Sequence, residues 1–131
     1  MRLIVDLDSD VPIYQQIRDR VVEAIAHGEA KEGDALPSTR QLASDFGINF
    51  LTVSKAYDLL RRQGIIRINR KSGAVIRRDP SSGPPEPGFD SDWETRMRIL
   101  LAEATVQGVS RRDVLKRCDA LLSQFDTVQS P

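Results

Sequence analysis

Apolar residues return every fourth position from Ile13 through Ile17 and Val21 to Ile25, and Tyr14 and Ala24 widen the stripe. This spacing predicts an amphipathic helix over Val11–His27 with one buried face. Pro12 suits its first turn, where the missing N–H has no partner to lose, and Asp10 is the expected N-cap. Gly28 is the expected stop, and His27 beside it places an imidazole at the negative end of the helix dipole. Ahead of the helix, LIVDL (3–7) predicts a short strand. After it, Gly28 to Pro37 is rich in turn formers and reads as a loop.

A second helix is predicted from Ser38. Ser38 and Gln41 have capping-box spacing, the serine hydroxyl capping while the glutamine reaches back. Leu42, Ala43 and Phe46 face inward. Gly47 is expected at positive φ in a tight turn. Asn49 is the expected N-cap of a third helix, which carries Val53, Ala56, Tyr57 and Leu60 on one face and ends at Gly64. The β-branched runs Ile65–Ile68 and Ala74–Arg77 flank Asn69-Arg70-Lys71-Ser72-Gly73 and predict a β-hairpin with a basic tip.

Asp79 to Phe89 holds four of the seven prolines and two glycines, the composition of a semi-rigid linker. Two further helical patterns follow. Ser91–Gln107 presents Trp93, Met97, Leu100, Leu101 and Ala104. Ser110–Phe125 presents Val114, Leu115, Cys118, Leu121, Leu122 and Phe125. Ser91/Glu94 and Ser110/Asp113 have capping spacing, and Gly108 separates the two. The expected architecture is mainly α with a small β-hairpin: a first domain over 1–79, a linker over 80–90 and a helical hairpin over 91–131. That tail has more apolar surface than so few residues can cover alone, so a partner surface is implied. Its expected dimerisation residues are Trp93, Met97, Leu100, Leu101, Leu115, Cys118, Leu121, Leu122 and Phe125. Trp93 has a second reading, as an anchor on the first domain.

Charge sharpens this picture only through its distribution. Lys+Arg and Asp+Glu are both 19. Met1 to Asp34 has four basic residues against eight acidic ones, whereas Ala35 to Asp79 has nine against three. A basic middle third suggests an anionic partner for one face, set against the plainer reading of a solvated basic surface. Cys118 is the only cysteine and His27 the only histidine. A disulfide within the chain and a Cys-based zinc site are therefore excluded. No Ser/His/Asp set or phosphate-cradling glycine loop appears, so no enzyme activity and no cofactor or metal are expected. No apolar run approaches the roughly 20 residues that span a bilayer, and the acidic start MRLIVDLDSD is unlike a signal peptide. A soluble cytoplasmic protein with no membrane partner is expected.

Ala43, Gly47 and Val53 have helix-turn-helix spacing: a small residue for close approach, a glycine for the turn and a β-branched residue behind the last helix. The hairpin immediately after makes the domain a winged helix-turn-helix, whose third helix fits a major groove while the wing reaches the flanking backbone.

PIYQQIRDRVVEAIAHG, LPSTRQLASDFGIN, TVSKAYDLLRRQGII and KSGAVI together resemble the DNA-binding domain of GntR-family bacterial transcription regulators. The short helical tail resembles that of the YtrA subfamily. The resemblance implies a homodimer on a palindromic operator in double-stranded DNA, usually as a repressor. It places Arg40, with Ser38 and Thr39 of the same motif, against DNA. It gives Asn49, Phe50, Leu51, Thr52, Ser54 and Lys55 to the head of the recognition helix, and Arg70, Lys71, Ser72 and Gly73 to the wing. This chain departs from the family at Phe50 and Leu51, where members often carry arginine, proline or asparagine and then threonine or asparagine. Ser54 stands where some subfamilies use a guanine-reading arginine. Phe50 and Leu51 have two readings, contact with thymine methyls or packing back onto the core or a neighbouring loop. Asn49 doubles as N-cap, and Arg61 and Arg62 read equally as solvated or as phosphate contacts. The alternative function is a winged-helix module that binds proteins. A small-molecule effector between subunits and constitutive action both remain open.

Overall fold

The computed structural model describes residues 3–70 and 73–129, with side chains to residue 126. Its elements are α1 (Ile13–Ala26), α2 (Thr39–Phe46), α3 (Phe50–Arg62), β1 (Ile66–Asn69), β2 (Gly73–Ile76), α4 (Phe89–Val106) and α5 (Arg111–Gln129). They divide into two compact units, Met1–Ser82 and Gly83–Pro131.

In the first unit, α3 packs against both α1 and α2. Ile17, Val21 and Ile25 of α1 meet Leu42 and Ala43 of α2 and Val53, Ala56, Tyr57 and Leu60 of α3 in one core. Ile66, Ala74 and Ile76 close it from the hairpin. Each large aliphatic side chain fully buried here contributes about 1.5–3 kcal/mol relative to exposure. The strands are antiparallel, with Ile66 opposite Ile76 and Asn69 opposite Gly73.

The structure departs from sequence expectation at five places in this unit and the next. LIVDL is not a strand. Leu3 and Val5 pack on the core, and the backbone of Asp6 finds its partners in a side chain: its N–H donates to Gln16 Oε1 at 2.7 Å and its carbonyl accepts from Gln16 Nε2 at 2.9 Å. Gln16 Nε2 also donates to Val11 O at 2.8 Å. A buried amide thus satisfies the groups a neighbouring strand would otherwise have to bond. Asp10 does not cap α1. The helix starts directly after Pro12, whose carbonyl accepts from Gln15 and Gln16. Gln41 does not reach back to Ser38. Ser38 Oγ accepts from Gln41 N–H at 3.0 Å as expected, but Gln41 Nε2 donates forward to Asp45 Oδ1 at 2.8 Å.

The fourth difference is in the loop before α2. Gly33 N–H donates to Ile76 O, Ile76 N–H to Asp34 O, and Leu36 N–H to Ala74 O, so this loop lines the second edge of β2. A further tie joins the loop to the end of the hairpin. Asp79 accepts from the Glu32 N–H at 2.9 Å and the Ser81 N–H at 2.7 Å. Those bonds, the Glu32 amide first, hold the Asp79 carboxyl below its usual range.

In the second unit, α4 starts after Gly88 at φ +83°, so Ser91 lies inside the helix and caps nothing. Ser110 does cap α5, accepting from Asp113 N–H at 3.1 Å. No residue of α4 is buried. No described helix is long and apolar enough to cross a membrane.

Candidate nucleic-acid interface

Two helix starts are built side by side. Gly47 ends α2 at φ +65°, ψ +36°, the left-handed conformation that costs glycine least. Its N–H and that of Ile48 bond back to Ser44 and Ala43 carbonyls, which turns the chain sharply. Two residues later Asn49 Oδ1 accepts from Leu51 N–H at 2.8 Å and opens α3. The Tyr57 hydroxyl, on a ring buried in the core, donates to Pro37 O at 2.6 Å and pins the entry to α2 onto α3. Burial raises the Tyr57 phenol well above its ordinary value, so it remains a donor.

At the resulting surface the Arg40 guanidinium carbon lies 4.8 Å from the Phe50 ring centroid. Phe50 is 40% exposed and Leu51 62% exposed, and neither belongs to the core cluster. Thr52 and Ser54 are half-buried on the same helix, because they flank the buried Val53. Lys55 is exposed, and its Nζ sits 4.1 Å from the Tyr14 ring centroid, leaning toward α1. Ser38 is exposed and Thr39 half-buried at the start of α2. In the hairpin, Arg70 is exposed at the end of β1, and Gly73 begins β2 at φ +74°. Lys71 and Ser72 lie outside the described residues.

The basic residues are not equivalent. Arg61 and Arg62 share Asp58, at 2.6 and 3.0 Å, and the hydrogen bond from Arg61 leads in lowering the Asp58 carboxyl. Arg77 donates to Gly64 O at 3.1 Å. Among the described residues no carboxylate pairs with Arg40, Lys55, Arg67 or Arg70. Sequence alone left Arg61 and Arg62 open and did not single out Arg67. The i,i+3 and i,i+4 spacing to Asp58 was the readable signal for the first two.

On the tail, Trp93 is exposed and stacks on Phe89 with centroids 6.3 Å apart. Met97, Cys118 and Phe125 are half-buried, whereas Leu100, Leu101, Leu115, Leu121 and Leu122 are exposed. Ile99 and Val106 extend the exposed apolar surface beyond the residues expected from sequence.

Three helices joined through a glycine turn and followed at once by a two-stranded hairpin define a winged helix-turn-helix protein. Residues 13–76 match the family described as bacterial regulatory proteins, gntR family. The chain is 46% identical over 105 residues to the HTH-type transcriptional repressor YtrA of Bacillus subtilis, covering 80% of each chain. Other relatives are longer, and the chain spans 28% of the length of one of them. A transcriptional antiterminator from Listeria monocytogenes superposes with TM-score 0.83 at 28% identity, over 92% of this chain and 90% of that one. YtrA from Sulfolobus acidocaldarius, a GntR-family transcription factor, superposes with TM-score 0.63 at 38% identity, over 79% and 97%. The chain belongs to the GntR family of bacterial regulators.

Proposed function

We propose that this regulator is a cytoplasmic homodimer that binds a palindromic operator in double-stranded DNA and represses transcription. The observation that carries the reading is the exposed head of α3, with Leu51 turned to solvent and, beside it, Arg40, which no carboxylate pairs among the described residues. An α-helix presented this way fits a major groove. Arg40, Ser38 and Thr39 at one helix start, and Asn49, Phe50, Leu51, Thr52, Ser54 and Lys55 at the other, form the proposed DNA-binding set. Arg70, Lys71, Ser72 and Gly73 serve the flanking backbone from the wing. Leu51 is the apolar group offered to a thymine methyl. The repressor role rests on likeness to the B. subtilis repressor YtrA.

The apolar residues of α4 and α5 supply the dimer surface, with Trp93, Met97, Leu100, Leu101, Leu115, Cys118, Leu121, Leu122 and Phe125 as its candidate members. Twofold pairing would set two recognition helices about 34 Å apart, one helical turn of DNA.

Selection of duplexes from random DNA, followed by titration at several salt concentrations, tests this function. The expected result is an inverted-repeat site whose affinity falls linearly with log salt. Sedimentation should give about twice 14.7 kDa. No enrichment of any duplex, or a single-chain mass at micromolar concentration, overturns the reading.

A further inference from the structure

Arg40 is the second residue of α2 and so puts a cation in a first turn. That is the positive end of the helix dipole, where a cation is disfavoured. Among the described residues no carboxylate offsets it there. Among the described residues its partner is the face of Phe50, ten positions later and across the Gly47 turn. Phe50 in turn is only partly exposed although it caps nothing and lies outside the core cluster. Stability of the fold therefore gives little reason for either side chain to be where it is.

We propose that Phe50 is a positioning residue for Arg40, and this rests on the DNA-binding reading given above. The ring holds the guanidinium over the junction of α2 and α3 before DNA arrives. A free arginine samples many rotamers and loses that freedom on binding, so a stacked one has less to lose. A contact with a ring face consumes none of the guanidinium's N–H donors, so the fork remains available for phosphate or guanine. Phe50 and Leu51 then divide the work at the head of α3. The ring supports a neighbour, and the leucine meets the groove.

A double-mutant cycle on a fluorescein-labelled duplex, taken from selection with the wild-type chain, tests this. Phe50→Leu keeps an apolar side chain and removes the ring. It should weaken binding roughly two- to five-fold, the range expected of an exposed cation–π contact. Phe50→Tyr should bind within twofold of wild type. In an Arg40→Ala background, Phe50→Leu should add no further loss. Without DNA, the Arg40 side-chain protons should show an upfield ring-current shift in NMR spectra that Phe50→Leu abolishes and Phe50→Tyr keeps.

An unchanged affinity for Phe50→Leu overturns the assignment while leaving the DNA-binding reading intact, and so does an equal loss with and without Arg40, which would make Phe50 a direct DNA contact. Arg40 protons at ordinary shifts overturn it as well. Failure of the wild-type chain to bind any duplex removes the underlying reading and this assignment together.

Discussion

Replacing Gly47 with alanine isolates the backbone cost of the turn that sets α3 against α2. Gly47 has φ +65°, and a Cβ built there meets nothing within 4 Å. Steric repair is therefore not the issue, and the whole effect lies in the left-handed conformation. That conformation costs an L-residue roughly 1–2 kcal/mol. Alanine recovers roughly 0.4–1 kcal/mol by narrowing the unfolded ensemble. The net expectation is a loss of about 1 kcal/mol. For a unit the size of Met1–Ser82 this lowers the melting temperature by roughly 4–8 °C. Gly47→Asn should lose less, since asparagine visits this region more readily. Far-UV circular dichroism melts and urea titrations at one fixed protein concentration measure both, because association would otherwise shift the midpoint. A Gly47→Ala variant that melts with or above wild type would refute the reasoning and show that the turn relaxes without cost.

Leu60→Ala empties a fully buried site beneath α3 and should cost about 2–5 kcal/mol in urea unfolding. Asn49→Ala removes the cap of α3 and should cost about 1 kcal/mol by the same assay. Arg40→Ala should weaken the selected duplex by roughly ten-fold or more in fluorescence anisotropy, with an unchanged melting temperature. The Asp79 carboxyl is lowered in the folded state, so its stabilising share is present above the unfolded value of about 3.9 and is lost as pH falls through the lower folded value. Unfolding free energies from pH 7 down to 3 should therefore fall less steeply at the acid end for Asp79→Asn than for wild type.

The stripes of α1 and α3 were legible because four-residue apolar spacing reports one buried face, and each of those faces is the core. Gly47, Ser38, Asn49 and Ser110 were legible because their roles are settled by neighbours within three or four positions. What stayed hidden depends on partners far along the chain. LIVDL has the apolar, β-branched composition of a short strand, yet the groups that bond Asp6 sit on Gln16 of α1. Gly33 to Leu36 has turn-former composition, and only the fold brings it to the edge of β2. Pro12 and Gly88 displaced Asp10 and Ser91 as helix starts, since a backbone geometry set by proline or glycine outranked an available side-chain cap. At the candidate interface, motif and charge named residues that the fold places at the starts of α2 and α3. They did not separate cations with a carboxylate from those without one, nor did they bring Arg40 onto Phe50.

Affinity cleavage addresses the central claim, that the head of α3 enters the groove from a twofold assembly. Iron chelated to a Leu51→Cys side chain in a Cys118→Ser background would cut the selected duplex wherever that residue lies. Two cleavage clusters about one helical turn, 10–10.5 base pairs, apart are the expected result. A single cluster, or cutting scattered along the duplex, would contradict the account.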